Sequence, residues 1–220
     1  MPESWGFPDA SNGVTIVGSV TVGTGVPGES TQRACLWQGG TVQLLNVNGT
    51  DSSRIVSINA TGVYIGGGLD MSNPNDWVGV GFVGRNGSVT KLNYPAFPEA
   101  GGAEINDDNW FTGSYQPQNN VRRPFLARAF SDEIYELQML PGYFEAIAQG
   151  INNDRTVVGS IRGSGDWERA LIWPNGSPTP VDLNEYVNVP GVTFIQGLDI
   201  NNAGQILAEG RLHAGGYAYY

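Results

Sequence analysis

A five-residue segment recurs along the chain at near-constant spacing. Ile58-Asn59-Ala60-Thr61-Gly62 returns as Ile105-Asn106-Asp107-Asp108-Asn109, as Ile151-Asn152-Asn153-Asp154-Arg155 and as Ile200-Asn201-Asn202-Ala203-Gly204. The copies start at residues 58, 105, 151 and 200, so the steps are 47, 46 and 49 residues. A weaker copy, Asp9-Ala10-Ser11-Asn12-Gly13, starts 49 residues before the first good one. A repeat of this period confines the chain to architectures made by stacking one supersecondary unit.

Each copy carries the same signals in the same order. The Ile-Asn segment reads as a tight turn, because Asn and Asp tolerate left-handed backbone and Gly adopts it without steric cost. An alternating apolar run follows, as in Val63-Tyr64-Ile65-Gly66 and Thr156-Val157-Val158-Gly159-Ser160-Ile161. After a polar loop comes a second run, such as Arg33-Ala34-Cys35-Leu36-Trp37 and Arg169-Ala170-Leu171-Ile172-Trp173. A hairpin turn (Gly39-Gly40, Arg85-Asn86-Gly87, Ser131-Asp132 or Pro174-Asn175-Gly176-Ser177) leads to a third, such as Thr41–Leu45 and Thr179–Leu183. One more strand precedes each Ile-Asn turn, as in Ile55–Ile58 and Ala146–Ile151, and Trp5-Gly6-Phe7 takes that place at the start.

Four strands in about 47 residues predict an all-β fold, a β-propeller of about five four-stranded blades. The units fall near residues 1–45, 54–92, 100–137, 144–183 and 194–220 of one repeat domain. A β-prism or two stacked sandwiches would also use alternating strands, but would not require the same turn at this spacing. The last unit reaches Tyr220 with three strands, so its blade is expected to be incomplete, with the fourth strand cut away. Its final run holds Tyr217, Tyr219 and Tyr220, a β-prone edge that could pair with another molecule, so self-association through that edge is one expectation.

With 220 residues the length fits one domain with ample core. The net charge of −10 speaks against nucleic acid, whose phosphates need a basic stripe, and against anionic membrane surfaces. No apolar run approaches the roughly 20 residues of a membrane-spanning helix, so membrane insertion is not expected. Met1-Pro2-Glu3-Ser4 does not read as a signal peptide. Cys35 is the only cysteine and aligns with the apolar Leu171, which makes it a small buried hydrophobe. His213 is the only histidine and lies in a loop. Neither composition nor motif calls for a cofactor or a metal.

The pattern Ile-Asn-Asn-x-Gly-Gln-Ile-Leu/Val, with Ala170-Leu171-Ile172-Trp173 and an Asn-Gly turn ahead of Val181-Asp182-Leu183-Asn184, resembles the bacterial extracellular repeat called the HAF family. The likeness is best over Ile151–Asn184 and Ile200–Tyr220, where His213-Ala214-Gly215-Gly216-Tyr217 stands at the family's His-Ala-Phe with an insertion. Units two and three depart from it, since Val80-Gly81-Phe82 and Leu126-Ala127-Arg128 lack the tryptophan. The resemblance implies an exported or surface-displayed bacterial protein, and it brings no catalytic residues.

Alternating strand directions put the Ile-Asn and hairpin turns on one face and the long loops and inter-unit links on the other. Variable loops on a rigid scaffold are the usual place for binding. There Trp77, Tyr94, Phe97, Tyr143, Trp167 and Tyr186 offer aromatic faces for a glycan or a protein, or else fill gaps between sheets. The expected function is a non-enzymatic interaction or structural module. The alternative is a polysaccharide-acting hydrolase with Glu104, Asp199 and Asp9 at a central channel, because glycoside hydrolysis needs two carboxylates. Asp107-Asp108 and Asp70…Asp76 lack the acidic spacing of a calcium loop and read as turn residues. The aligned Gly18, Gly66, Gly113 and Gly159, with Ala208, are expected to mark close packing between sheets.

Overall fold

The computed structural model describes residues 6–24, 26, 29–73, 78–118, 121–163 and 167–220, with the backbone alone for residues 118, 167 and 168. Its regular structure is almost entirely strand. The first sheet holds β1 (Gly6–Ser11), β2 (Ile16–Gly23), β3 (Ser30–Gln38) and β4 (Thr41–Leu44) in that order. The second holds β5 (Ser52–Ile58), β6 (Val63–Asp70), β7 (Val78–Arg85) and β8 (Ser88–Lys91). The third holds β9 (Gly101–Ile105), β10 (Trp110–Gln118), β11 (Val121–Arg128) and β12 (Ile134–Glu136). The fourth holds β13 (Glu145–Ile151), β14 (Val157–Arg162), β15 (Trp167–Trp173) and β16 (Val181–Asp182). The fifth has three strands, β17 (Val192–Ile200), β18 (Ile206–Leu212) and β19 (Tyr217–Tyr219). The chain divides into two compact units, residues 1–109 and 110–220.

The expected strand over Thr179–Leu183 is cut to the two residues of β16. Asp182 ends it by accepting a hydrogen bond from the Asn184 N–H and so capping the short helix α1 (Leu183–Tyr186). Leu183 then points inward and is buried.

The repeated turn shows why its asparagine recurs. Asn59 Oδ1 accepts the backbone N–H groups of Thr61 (3.1 Å) and Val63 (2.9 Å). Asn152 Oδ1 does the same for Asp154 (3.1 Å) and Thr156 (2.9 Å), and Asn201 Oδ1 for Ala203 (3.0 Å) and Gln205 (2.9 Å). The fifth residue of each turn has positive φ: 79° at Gly62, 65° at Asn109, 61° at Arg155 and 76° at Gly204. The asparagine thus replaces, with its side chain, the backbone partners that a left-handed turn leaves open.

Its amide nitrogen reaches the next repeat. Asn12 Nδ2 donates to the Asn59 carbonyl (3.2 Å), Asn59 Nδ2 to the Asn106 carbonyl (2.9 Å) and Asn152 Nδ2 to the Asn201 carbonyl (3.4 Å). Side chains at the following position add to this: Asp107 Oδ1 accepts the Ala60 N–H (2.9 Å) and Asn202 Oδ1 accepts the Asn153 N–H (2.8 Å). Asn59, Asn106 and Asn152 are buried. Asn201 is exposed, and its Nδ2 bonds within its own turn to Gln205 Oε1 (2.7 Å).

Sheets pack by laying the first strand of one on the face of the sheet before it. Within residues 1–109, Val17, Ala34 and Leu36 of the first sheet form a core with Ile55, Ile58, Tyr64 and Phe82 of the second. Within residues 110–220, Leu126 and Leu137 meet Val157, Leu171 and Trp173, and Ala170 meets Phe194. Cys35 is fully buried, as its alignment with Leu171 implies.

The aligned glycines first make room within their own sheet, and only Gly159 is seen to take the expected place against the next sheet. A Cβ on Gly18, Gly66 or Gly159 would lie 2.0–2.2 Å from a backbone oxygen of the adjacent strand in the same sheet: Phe7 O, Arg54 O and Ile147 O. The reason is a β-bulge opposite each one, between Pro8 and Ala10, Ile55 and Ser57, and Ala148 and Gly150. The extra residue swings the strand backbone toward its neighbour. A fourth bulge, between Gly197 and Asp199, lies opposite Ala208 and Leu207. Close approach between sheets is marked at Gly159, whose N would lie 3.1 Å from a Cβ on Gly197 of the next sheet, and at Gly102, whose Cβ would meet Ile65 Cδ1 at 2.6 Å.

Two predictions follow from this core. Gly159→Ala should destabilise the protein by about 1–3 kcal/mol, because the obstacle is backbone that cannot swing away. Gly101→Ala, where a Cβ meets nothing within 4 Å, is the control. Equal denaturation midpoints for the two variants would contradict the bulge account. The second concerns alkali. Burial first, and Asp9 second, raise the Cys35 thiol from 9.0 to about 12. Burial raises the Tyr64 phenol from 10.0 to about 12, against its bond to backbone in the Ser88 turn. The fold therefore favours both neutral forms, and this stability is complete below pH 9 and lost as the pH climbs toward 12. Denaturant titrations across that range should show a falling midpoint, with a shallower fall in Cys35→Ala/Tyr64→Phe; an unchanged slope would contradict it.

Candidate functional site

The long loops and links open opposite the asparagine turns, and in residues 1–109 they enclose a cleft of about 690 Å³. The end of β2 and the start of β3 supply Thr24, Glu29, Ser30, Thr31 and Arg33. The link from β4 to β5 supplies Asn46, Thr50 and Asp51, and Met71 follows β6. Asp51 organises the wall. Its carbonyl accepts the Thr31 hydroxyl, its Oδ2 accepts the Met71 N–H (2.6 Å), and its own N–H donates to the Leu69 carbonyl (2.8 Å). Arg33 Nη2 donates to the Leu45 carbonyl (3.3 Å), and Thr50 Oγ1 to the Val47 carbonyl (2.7 Å), which holds the link against the sheet edge.

The lining carries hydroxyl, amide, carboxylate and guanidinium groups. The volume lies within the range of small-molecule sites, but no aromatic side chain is among its described lining residues. Beside the lining residue Met71 in sequence, Asp70 Oδ1 accepts the Ser72 N–H (3.0 Å). The Ser72 hydroxyl first, then that N–H, hold the Asp70 carboxyl below its ordinary range. The loops enclosing the cleft were legible in the sequence; which of their residues line it was not, since Thr31, Arg33 and Asp51 carry no motif.

The aromatic candidates lie elsewhere. Trp77 falls outside the described residues, and of Trp167 only the backbone in β15 is described. Tyr94 and Phe97 are half-buried in the link from β8 to β9, in a turn closed by the Phe97 N–H on the Tyr94 carbonyl (2.8 Å). Tyr143 packs on the Leu126–Trp173 core, the space-filling role. Tyr186 is exposed on α1. Tyr217 and Tyr219 on β19 and Tyr220 after it are exposed; Tyr220 also stands edge-on to Phe194 at 5.4 Å and continues the pairing with Ala208 (2.9 Å both ways).

The carboxylates of the hydrolase alternative fall on the first strands of three different sheets. Asp9, in the bulge of β1, pairs with Arg54 of β5. Glu104 lies half-buried in β9. Asp199, in β17, turns back so that its Oδ1 accepts the Ile200 N–H (2.7 Å). The carboxylate most enclosed by charge is one the sequence did not single out. Glu145, at the start of β13, is 1% exposed and lies between Arg122 Nε (2.7 Å) and Arg162 Nε (2.5 Å). Two guanidinium groups compensate its desolvation, so removing one should strand a buried charge. His213 is exposed, with Nε2 3.0 Å from Thr193 Oγ1.

No family model matches the chain, and no curated protein matches it. Among solved structures it is similar to that of putative TolB from Agrobacterium tumefaciens. The match has a TM-score of 0.55 at 10% identity and covers 95% of this chain and 72% of that one. The fold is a β-propeller. At this identity the likeness speaks to fold alone.

Proposed function

We propose that the chain is a non-catalytic interaction module, displayed outside a bacterial cell, that holds a glycan or a protein segment against its long-loop face. The observation that carries this reading is the polar cleft at Thr31, Arg33 and Asp51, built from loops whose ends are pinned by regular sheets. Hydroxyl, amide and carboxylate groups in that density match a polyhydroxylated or extended peptide ligand, which offers donors and acceptors on every side. Export rests on the HAF-type motifs at Ile151–Asn184 and Ile200–Tyr220. Within residues 1–109, Tyr94 and Phe97 remain the rings best placed by sequence to widen the contact.

Calorimetric titration against a panel of oligosaccharides and extended peptides tests this. At least one class should bind. Glu29→Gln combined with Asn46→Ala, two exposed lining residues, should weaken it by tenfold or more, about 1.4 kcal/mol. Binding that ignores these substitutions would move the site elsewhere. Release of new reducing ends from a polysaccharide, lost in Glu104→Gln or Asp199→Asn, would replace the module reading with the hydrolase one.

A further inference from the structure

Between the first two sheets, among the asparagine and hairpin turns, lies a second and smaller crevice of about 260 Å³. Leu36, Ile58 and Tyr64 form its floor, and Thr15, Gln38 and Asn86 stand on its rim. All its described lining residues are uncharged. The three floor residues belong to the core of these sheets, and the Tyr64 ring is held there by its hydroxyl on the Ser88 carbonyl (2.8 Å). Gln38 and Asn86 are exposed, so their amides are open to a ligand. The volume is below the roughly 300–1,000 Å³ of drug-sized sites and suits a single ring system.

The same place between the third and fourth sheets is filled. Counted from the aligned glycines, Thr15 lies three residues before Gly18 and Trp110 three before Gly113. Arg128 is opposite Trp110, and Gln38 takes that place one step beyond the Ile16–Trp37 pair. Gly62 lies four residues before Gly66, and Arg155 four before Gly159. Tyr135 is opposite Leu126, and Gln43 opposite Leu36. The indole of Trp110 packs on the Leu126–Trp173 core. Arg155 lies over it at 5.4 Å and Arg128 at 6.0 Å, and the Tyr135 ring stacks on it at 6.1 Å. In the first two sheets Thr15, Gln38, Gly62 and Gln43 replace Trp110, Arg128, Arg155 and Tyr135. The floor is not thinned in the same way, because Tyr64 beside Gly84 stands where Val157 pairs with Trp173.

We propose that this crevice receives a tryptophan side chain from a partner polypeptide, set as the Trp110 indole is set between the later sheets. The apolar floor takes the ring. The Gln38 and Asn86 amides and the Thr15 hydroxyl supply acceptors for the indole N–H and partners for the polypeptide backbone beside it. A neutral ring needs no counter-charge, in keeping with the uncharged lining. Arg85, whose Nη2 lies 3.5 Å from Thr61 Oγ1, puts a cation near the rim, as Arg128 and Arg155 do for Trp110. Tryptophan is among the residues that most often anchor a partner in a pocket. The site is separate from the polar cleft at Thr31 and Asp51 and does not rest on it.

Saturation-transfer NMR and calorimetric titration of the full chain test this, with N-acetyltryptophanamide and an unstructured peptide carrying one central tryptophan as probes. Both should bind saturably, at one site per chain, and the peptide with alanine at its centre should bind at least tenfold more weakly. Thr15→Trp, which supplies the ring from within, should weaken both probes tenfold or more. Gln38→Ala/Asn86→Gly should weaken them at least threefold; both positions are exposed, and the φ of 53° at Asn86 is one that glycine adopts freely. Glu29→Gln/Asn46→Ala should leave this binding unchanged, which separates it from the polar cleft. Failure of either probe to bind the native chain would overturn the proposal. So would unchanged affinity in either folded variant. A methyl glycoside whose binding falls in the same variants, while the indole probes do not bind, would replace it with a sugar site.

Discussion

The side-chain amide of the repeated asparagine is the interaction on which the other regularities depend. Its oxygen closes the turn in which it sits, and its nitrogen binds the carbonyl of the equivalent asparagine one repeat later, from Asn12 to Asn59, Asn59 to Asn106 and Asn152 to Asn201. No other side chain of that length supplies an acceptor and a donor at once in this geometry. Serine could close the turn but not reach on, and aspartate would oppose a carbonyl with a charge. The turn therefore fixes both the conformation of a hairpin and the offset of the next sheet.

Offset matters because the apolar surface is graded along each sheet. Val17, Ala34 and Leu36 bury themselves only if the second sheet arrives with Ile55 and Tyr64 opposite them. Burial of such side chains stabilises by about 1.5–3 kcal/mol each, far more than any one hydrogen bond, but it is indifferent to small slips. The amide supplies the direction that burial lacks. The bulges add a second constraint by driving strand backbone into the space above Gly18, Gly66 and Gly159, which no larger residue can share. A sheet made this way buries its apolar side chains only against a neighbour, as Val17 does against the second sheet.

Much of the fold was legible in the chain itself, because Ile-Asn turns at steps of 46–49 residues and alternating runs leave few ways to pack. Cys35 reads correctly as core from its alignment with Leu171. The glycines were harder. Their alignment was visible, but a bulge opposite each is set by strand pairing, so the obstacle looked like another sheet when it is the adjacent strand. Asp182 shows the same limit: a capping bond to Asn184 turns an apparent strand into a helix start. The cleft was only half legible. Its loops could be located, yet Thr31, Arg33 and Asp51 become neighbours only through the packing of the first two sheets. Glu145 looked like any acidic residue until Arg122 and Arg162 converged on it from separate strands.

The most direct measurement compares asparagine-to-aspartate substitutions along the series by equilibrium denaturation. Asparagine 59 and asparagine 152 are buried and donate to the next turn, whereas asparagine 201 is exposed and bonds within its own. Asn59→Asp and Asn152→Asp keep the acceptor that closes the turn but put a buried carboxylate oxygen where the donor faced a carbonyl, so each should cost about 1–3 kcal/mol or more. Asn201→Asp should cost within about 0.5 kcal/mol, as at an ordinary surface position. Equal losses at all three positions would show that the asparagine serves its own turn alone and does not tie one sheet to the next.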